Sequence, residues 1–314
     1  MPTTSQIHLT SRLSNLGLLY SNSLIGPMIG QQILPMVPVS KTTDTYTVFD
    51  KEDRFTIPDT ALGNRSNARR VTWGTSTATY TAVNNGLEDL ITDQDFSNQD
   101  ELFNLSTDTM ENLIDIITLG YEKRVADLVF SSATITQGVT LSGTDQWNDY
   151  TNSDPLQDIQ TAINGTFIPA NTVAMGQEVF EQLLNHPDMV ERFIRNGSLA
   201  NNAAIMAEIF DVDEVLVGKA KYNTANIGAT PVYARVWGKH FLAFYKRPAP
   251  TRRTISLGYT FSFSTTGNAG GLIVSRRRDD AIGLTGGEII KVAQSTDEVV
   301  VAADVGYLIT NAVA

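Results

Sequence analysis

Residues 97–130 read SNQDELFNLSTDTMENLIDIITLGYEKRVADLVF, and their spacing decides the fold. Phe103, Met110, Leu113, Ile114, Ile117, Tyr121, Val125 and Leu128 recur at steps of one, three, four or seven, which puts them on one face of an α-helix. Ser97-Asn98-Gln99-Asp100 has the pattern of a capping box, so the helix is expected to open there and run to about Phe130. At 1.5 Å per residue such a helix is about 46 Å long. A compact chain of this size has a radius of gyration of about 20 Å. A straight helix therefore crosses the whole globule, and an elongated or flat protein is expected.

Upstream, residues 41–83 read as two long strands, Thr45 to Ile57 and Arg70 to Val83, around a polar tip containing Pro58, Gly63, Asn64 and Asn67. Ser76, Ala78, Tyr80 and Ala82 face one way along the second strand, and Trp73, Thr75, Thr77 and Thr79 the other. Neither face is a full apolar stripe. An isolated two-stranded ribbon is marginal in water, so this hairpin must dock on its own chain or on a neighbour. Residues 1–40 mix apolar and small polar residues and end in Ile33-Leu34-Pro35-Met36-Val37-Pro38, the pattern of an extended arm that needs a surface to lie on.

Downstream, Asp154-Pro155 opens a second unit as an N-cap followed by proline at the first helical position. It reads as helix 155–164, strand 172–176, helix 177–185, short helices near 188–195 and 199–209, and a strand from Glu214 to Val217. A strand pair across Val232 to Tyr245 is expected to turn at Trp237-Gly238-Lys239, with Trp237 in the core. After Pro248 and Pro250, strands are expected at Ser256–Ser264, Gly271–Arg277, Glu288–Ala293 and Val299–Ala303. They lack a core of their own and are expected to return to the long helix.

Composition removes several kinds of chemistry. The 314 residues contain no cysteine, so thiol nucleophiles, cysteine metal sites and disulfides are excluded. His8, His186 and His240 lie far apart and form no paired-ligand motif, so no metal site is expected. Gly267-Asn268-Ala269-Gly270-Gly271 and Gly283-Leu284-Thr285-Gly286-Gly287 match no phosphate-cradling pattern and read as turns. Gly218-Lys219 fails as a P-loop because position 213 is Asp. Asp211-Val212-Asp213-Glu214 lacks the ligand alternation of a calcium loop and reads as a solvated helix-to-strand corner. Prolines at 27, 35 and 38 interrupt the apolar stretch from Leu16 to Val39, so neither a signal peptide nor a membrane span is expected. No cofactor is expected.

The formal net charge of −11 argues against a protein that neutralises phosphates over its whole surface. Arg69-Arg70, Arg252-Arg253 and Arg276-Arg277-Arg278 are local basic clusters without interleaved aromatics. Their planar guanidinium forks suit carboxylates, and pairing across a subunit boundary with Glu88, Asp89, Asp279 or Asp280 is one expectation. Trp73, Arg69, Arg70, Arg276, Arg277 and Arg278 are accordingly the candidate intersubunit residues, with the end of a strand as the other reading of the arginine triplet.

The stretch IFDVDEVLVGKAKYNTAN at 209–226, VWGKHFLAFY at 236–245, Arg247-Pro248-Ala249-Pro250 and Leu257-Gly258-Tyr259-Thr260-Phe261 resemble major capsid proteins of tailed bacteriophages, the Hong Kong 97 type. The resemblance implies an α+β fold with an N-terminal arm (1–40), an extended β-hairpin loop (41–85), a peripheral domain with a long spine helix (86–150 and 251–314) and an axial α/β domain (151–250). It implies no enzyme. It implies a coat subunit that self-assembles into hexamers and pentamers of an icosahedral head around double-stranded DNA, bound without sequence specificity. Its implied partners are further copies of itself, a separate scaffolding protein and a portal protein, with synthesis in the bacterial cytoplasm and no membrane. Family members that cross-link use a lysine in the extended loop. None lies between Pro58 and Arg70, so covalent cross-linking is not expected. Two other readings are a cellular nanocompartment shell of the same fold and a carbohydrate-active hydrolase with paired carboxylates.

Overall fold

The computed structural model describes residues 25–49, 51–65, 67–72, 74–98, 104–195, 203–226, 228–247, 255–263 and 271–314. The expected arm as far as residue 24, together with Trp73, Arg252, Arg253 and Gly267 to Gly270, lies outside the described residues. In chain order the first elements are α1 (Gly30–Ile33), β1 (Met36–Val39), β2 (Thr43–Phe49), α2 (Glu52–Phe55), β3 (Thr75–Thr81), β4 (Val83–Thr92), α3 (Asp93–Ser97), α4 (Leu105–Val129) and β5 (Gly138–Thr140). Then come α5 (Pro155–Gly165), β6 (Thr172–Gly176), α6 (Gln177–Asn185), α7 (Pro187–Arg195), α8 (Ala203–Phe210), β7 (Glu214–Gly218), β8 (Lys221–Asn223) and β9 (Tyr233–Arg235). The last are β10 (Phe241–Phe244), β11 (Gly258–Phe263), β12 (Leu272–Asp279), β13 (Gly287–Val300) and β14 (Gly306–Thr310).

The long helix α4 opens later than its sequence suggests. Asn104 is its N-cap, accepting from the Thr107 N–H at 3.3 Å. The reciprocal capping box lies upstream, where Thr92 and Asp95 cap α3, and Ser97 closes that short helix instead of opening the long one. Across its 25 residues α4 extends about 37 Å. Leu113 and Ile117 of α4 bury against Ile91, Ile290 and Val292, and Arg124 holds Glu298 through Nε at 3.3 Å and Nη2 at 3.1 Å.

Beneath the helix, β13 is the centre of a sheet. One edge pairs with β4 from Gly287↔Thr92 to Thr296↔Val83. The other pairs first with β12 and then with β11, and β1 adds to β11 in parallel. The two strands expected at 288–293 and 299–303 are one strand. The polar run between them breaks the apolar pattern, yet Gln294, Ser295 and Thr296 are buried because neighbours pair on both edges.

A second sheet runs β5-β14-β10-β6-β7 and is packed by α5 to α8 through Ile159, Val179, Leu183, Met189 and Met206. It takes in strands at 138–140 and 306–310, outside the 151–250 range expected for this unit. The expected strand pair about Trp237-Gly238-Lys239 does not form. β9 pairs with β8, while β10 lies between β6 and β14. Gly238, at φ +51°, redirects the chain, and Trp237 is fully buried as expected. Its indole packs on Gly218, where an added Cβ would lie 2.1 Å from Trp237 Cδ1, so the Gly218-Lys219 pair answers to packing. Asp211, at φ +57°, turns α8 toward β7, the helix-to-strand corner its sequence predicts.

The described end of the expected arm is core. Ile29, Ile33 and Leu34 are buried with Tyr121, Val125 and Leu242, and β1 tolerates Pro38 because it is an edge strand. At this junction Glu122 of α4 accepts from the N–H of Ile29 at 2.7 Å, the N–H of Gly30 at 2.8 Å and Trp237 Nε1 at 2.8 Å. Burial pushes the Glu122 carboxyl above its ordinary value, while the three donors pull the other way. Glu122→Ala leaves three buried donors unpaired, each worth about 1–3 kcal/mol. Urea unfolding of the unassembled subunit should therefore show a loss of at least about 3 kcal/mol, with Glu122→Gln intermediate.

Candidate assembly surface

β2 and β3 form a hairpin from Thr43↔Thr81 to Phe49↔Thr75, rich in cross-strand threonine pairs. Its base is fixed to its own body. Tyr80 stacks on Phe261 with ring centroids 4.5 Å apart, Tyr46 tilts against the same ring at 5.6 Å, and the Thr81 N–H donates to Asp297 Oδ2 at 2.7 Å. Farther out, Lys51 Nζ donates to Asp304 Oδ2 at 2.8 Å and lies over Phe167, which Phe55 meets edge-on at 4.9 Å. The expected strands 45–57 and 70–83 are shortened. Lys51 to Phe55 turn into α2, and Pro58 follows too soon for strand to resume.

Beyond Phe55 every described residue to Gly74 is exposed. Ile57 is 92% exposed, Leu62 59% and Val71 50%, so apolar side chains project from a segment that nothing in the described part of the chain covers. Arg70 is exposed, and Arg69 reaches Asp59 at 4.0 Å. Trp73 lies outside the described residues. Sequence reasoning missed Phe55, Ile57, Leu62 and Val71 as contact candidates, because single apolar residues in a polar loop follow no period. The signal available was their number in a loop too long to be a tight turn.

A second exposed corner forms at the end of β12, across β13 from the end of β4 and the start of α3. Arg278 donates through Nη2 to Asp93 and through Nε to Asp280, both at 2.8 Å, and its Nη2 also reaches the Thr285 carbonyl at 3.2 Å. Those two carboxylates hold the guanidinium more firmly protonated than usual. Arg276 faces Glu288 at 3.6 Å and Arg277 faces Glu88 at 3.9 Å. The triplet is thus brought together at a strand end and reaches carboxylates of its own chain, which β4, β13 and the start of α3 carry alongside it. Phe96, Ser97 and Thr285 complete an open cleft of about 640 Å³, and Leu284, 87% exposed, projects from the adjoining turn.

Among the described residues neither corner nor core offers a catalytic constellation. Ser153 Oγ lies 3.2 Å from His186 Nε2, and His186 Nδ1 lies 3.5 Å from Asp188, an order reminiscent of a nucleophile, base and acid. Ser153 and His186 are only 8% and 1% exposed, the Ser153 hydroxyl donates to the Asp149 carbonyl at 2.7 Å, and Nδ1 accepts from the Asp188 N–H. The arrangement suits the neutral imidazole with its proton on Nε2, and it fastens the loop after β5 to the α6–α7 junction. The carboxylate pairs Glu88-Asp89 and Asp279-Asp280, which the hydrolase reading would use, are likewise engaged. Glu88 and Asp280 hold arginines, and Asp279 accepts from the Ala281 N–H. Among the described residues no cluster could hold a metal ion, and no helix is long and apolar enough to cross a membrane.

A mixed helix-and-sheet body with an exposed, partly apolar ribbon defines a subunit built for self-association. Residues 132–239 match the family model described as Phage major capsid protein E. Over 309 residues the chain is 32% identical to the major capsid protein of Pseudomonas phage JBD67, with 96% of each chain covered. The fold is that of a phage-related protein from Bordetella bronchiseptica RB50, at TM-score 0.69 and 21% identity over 91% of this chain and 92% of that one. It is also that of the capsid of cyanophage P-SCSP1u, at TM-score 0.59 and 11% identity over 94% and 90%. The chain belongs to the family of phage major capsid proteins and is a structural coat subunit. A phage coat protein at this identity puts the phage reading ahead of a cellular nanocompartment.

Two outcomes follow from the geometry. Ile57→Ser should change the unfolding free energy of the isolated subunit by less than about 0.5 kcal/mol, since the side chain leaves no cavity. His186 is held below its ordinary value of 6.5, chiefly by burial. As pH falls through about 6.5 the unfolded chain takes up a proton that the folded one refuses, so stability falls. His186→Gln should flatten the slope of unfolding free energy between pH 7 and 5, measured by urea titration.

Proposed function

We propose that this coat subunit has the Hong Kong 97 type fold and builds an icosahedral phage head, as hexamers and pentamers, around double-stranded DNA. The observation that carries the reading is the row of exposed apolar side chains beyond Phe55, with Ile57 92% exposed. At about 3.3 Å per residue the seven residues of β2 span about 23 Å, and residues 56–72 lie beyond them in the loop, available to an adjacent subunit. In this reading residues 1–40 are the arm, with 29–39 docked at home, and 41–85 the extended loop. Residues 86–150 and 251–314 form the peripheral domain and 151–250 the axial domain, whose sheet also borrows strands β5 and β14.

Many modest contacts per subunit suit a shell better than one tight interface, because reversible contacts allow misplaced copies to leave while linked contacts still sum to a stable particle. The net charge of −11 suits a container for DNA, since a wall that gripped phosphates would hinder packing and release. A separate scaffolding protein, a portal and synthesis in the host cytoplasm complete the proposal, with no enzymatic step and no covalent cross-link.

Expression of the chain, alone and with a scaffolding partner, should give capsomers or closed shells by electron microscopy. Replacing residues 56–72 with a short Gly-Ser linker should abolish them and leave a folded subunit. Deleting the whole segment to residue 83 is a poorer test, because it also removes Ile29, Ile33 and Leu34 from the core. A chain that stays monomeric at high concentration in both settings would refute the proposal.

A further inference from the structure

The strand order β5-β14-β10-β6-β7 makes β5 and β7 opposite edges of one sheet, about 19 Å apart at the usual strand spacing. Each edge leads into an exposed feature. β7 runs on into the β8–β9 hairpin, where Val232 is 57% and Tyr233 70% exposed. Lys219, Lys221 and Arg235 lie on this hairpin and its flank, and the sequence from 219 to 235 contains no Asp or Glu. On the opposite edge all of β5 is exposed, including Val139 at 41%. From 138 to 154 the sequence holds Asp145, Asp149 and Asp154 and no Lys or Arg.

Both features belong to the same end of the sheet. The segment after β5 is tied to the C-terminal side of β14 by the Trp147 N–H donating to the Ala312 carbonyl at 2.8 Å. The hairpin is tied to the C-terminal side of β7 by the Val236 N–H donating to the Ala220 carbonyl at 2.9 Å. Strands β6 and β7 are parallel and β10 is antiparallel to both β6 and β14, so these two C-terminal sides coincide. One subunit thus carries a basic, aromatic projection on one flank and an acidic edge on the other. Pairing like flank with like would set charge against the same charge, whereas pairing opposite flanks gives a head-to-tail contact, which closes into a ring where the rotation between copies allows.

We infer that the β8–β9 hairpin of one copy seats against the β5 edge of the next, with Lys219, Lys221 and Arg235 facing Asp145 and Asp149 and with Val232 and Tyr233 on Val139. The inference rests on the coat-subunit reading and names the contact that closes each capsomer. Arg235 also reaches Glu178 at 3.7 Å, and Asp149 accepts from the Thr151 and Asn152 N–H groups of its own loop. The test uses Lys221 and Asp145 because both are exposed.

Lys221→Glu, Asp145→Lys and the double variant are made in the full chain. Melting temperatures of the unassembled subunits check folding, and sedimentation with electron microscopy scores capsomers and shells. Each single variant should reduce assembled material by at least about tenfold, and the double variant should recover most of it. If the unaltered chain and both single variants assemble alike, or if the double variant is no better than the worse single, the contact is refuted while the coat reading stands. If the unaltered chain forms no particle either alone or with a scaffolding partner, both are refuted.

Discussion

One carboxylate holds the subunit's parts in register. Glu122 lies in the middle of the long helix, and its two oxygens take donors from the chain entering β1 and from the Trp237 turn of the second sheet. A buried carboxylate without partners costs several kcal/mol, and three converging donors offset that only if all of them are in place. The arrangement therefore acts as a geometric check. Around it Tyr121 donates or accepts with Thr260 at 2.8 Å, and Arg124 grips Glu298, so helix, entry segment and both sheets meet within one turn of α4.

From that junction outward the chain changes character. The body is held by apolar packing on both sheets and by the buried hydrogen bonds around Glu122 and Tyr121. The hairpin base is held by two ring contacts on Phe261 and a few hydrogen bonds, and its described tip beyond Phe55 is exposed throughout. This gradient fits a protein whose copies must meet repeatedly and separate when wrongly placed. A rigid body fixes where the contacts point, and an incompletely satisfied ribbon supplies the reason to make them.

Local patterns in the sequence disclosed much of this. Asp154 caps α5 by accepting from the Gln157 N–H at 3.0 Å, as its position before Pro155 predicts, and the apolar row from Leu113 to Val125 faces the sheet. Long-range pairing was not legible. β5 and β14 are too short to show alternation, and their roles come from partners more than 150 residues away in chain order, as the Thr140 and Thr310 hydroxyl pair shows. The fused strand β13 hides behind a polar run that only its two neighbours explain. The stretch before residue 40 looked like an arm because Pro35 and Pro38 suit extended chain, yet an edge strand accepts proline equally well. For the contact residues, arginine clusters draw attention by their charge, and Arg276 to Arg278 reach carboxylates of their own chain, while Ile57 and Leu62 draw none.

Hydrogen–deuterium exchange on the unassembled subunit and on the assembled particle compares the two grades of contact directly. Residues 29–39 should be protected to the same degree in both states, because Glu122 and the core hold them within one chain. Residues 56–72 should exchange freely in the subunit and slow by at least about tenfold in the particle. Free exchange of 29–39 in the subunit, or a tip that exchanges equally fast in both states, would contradict the account.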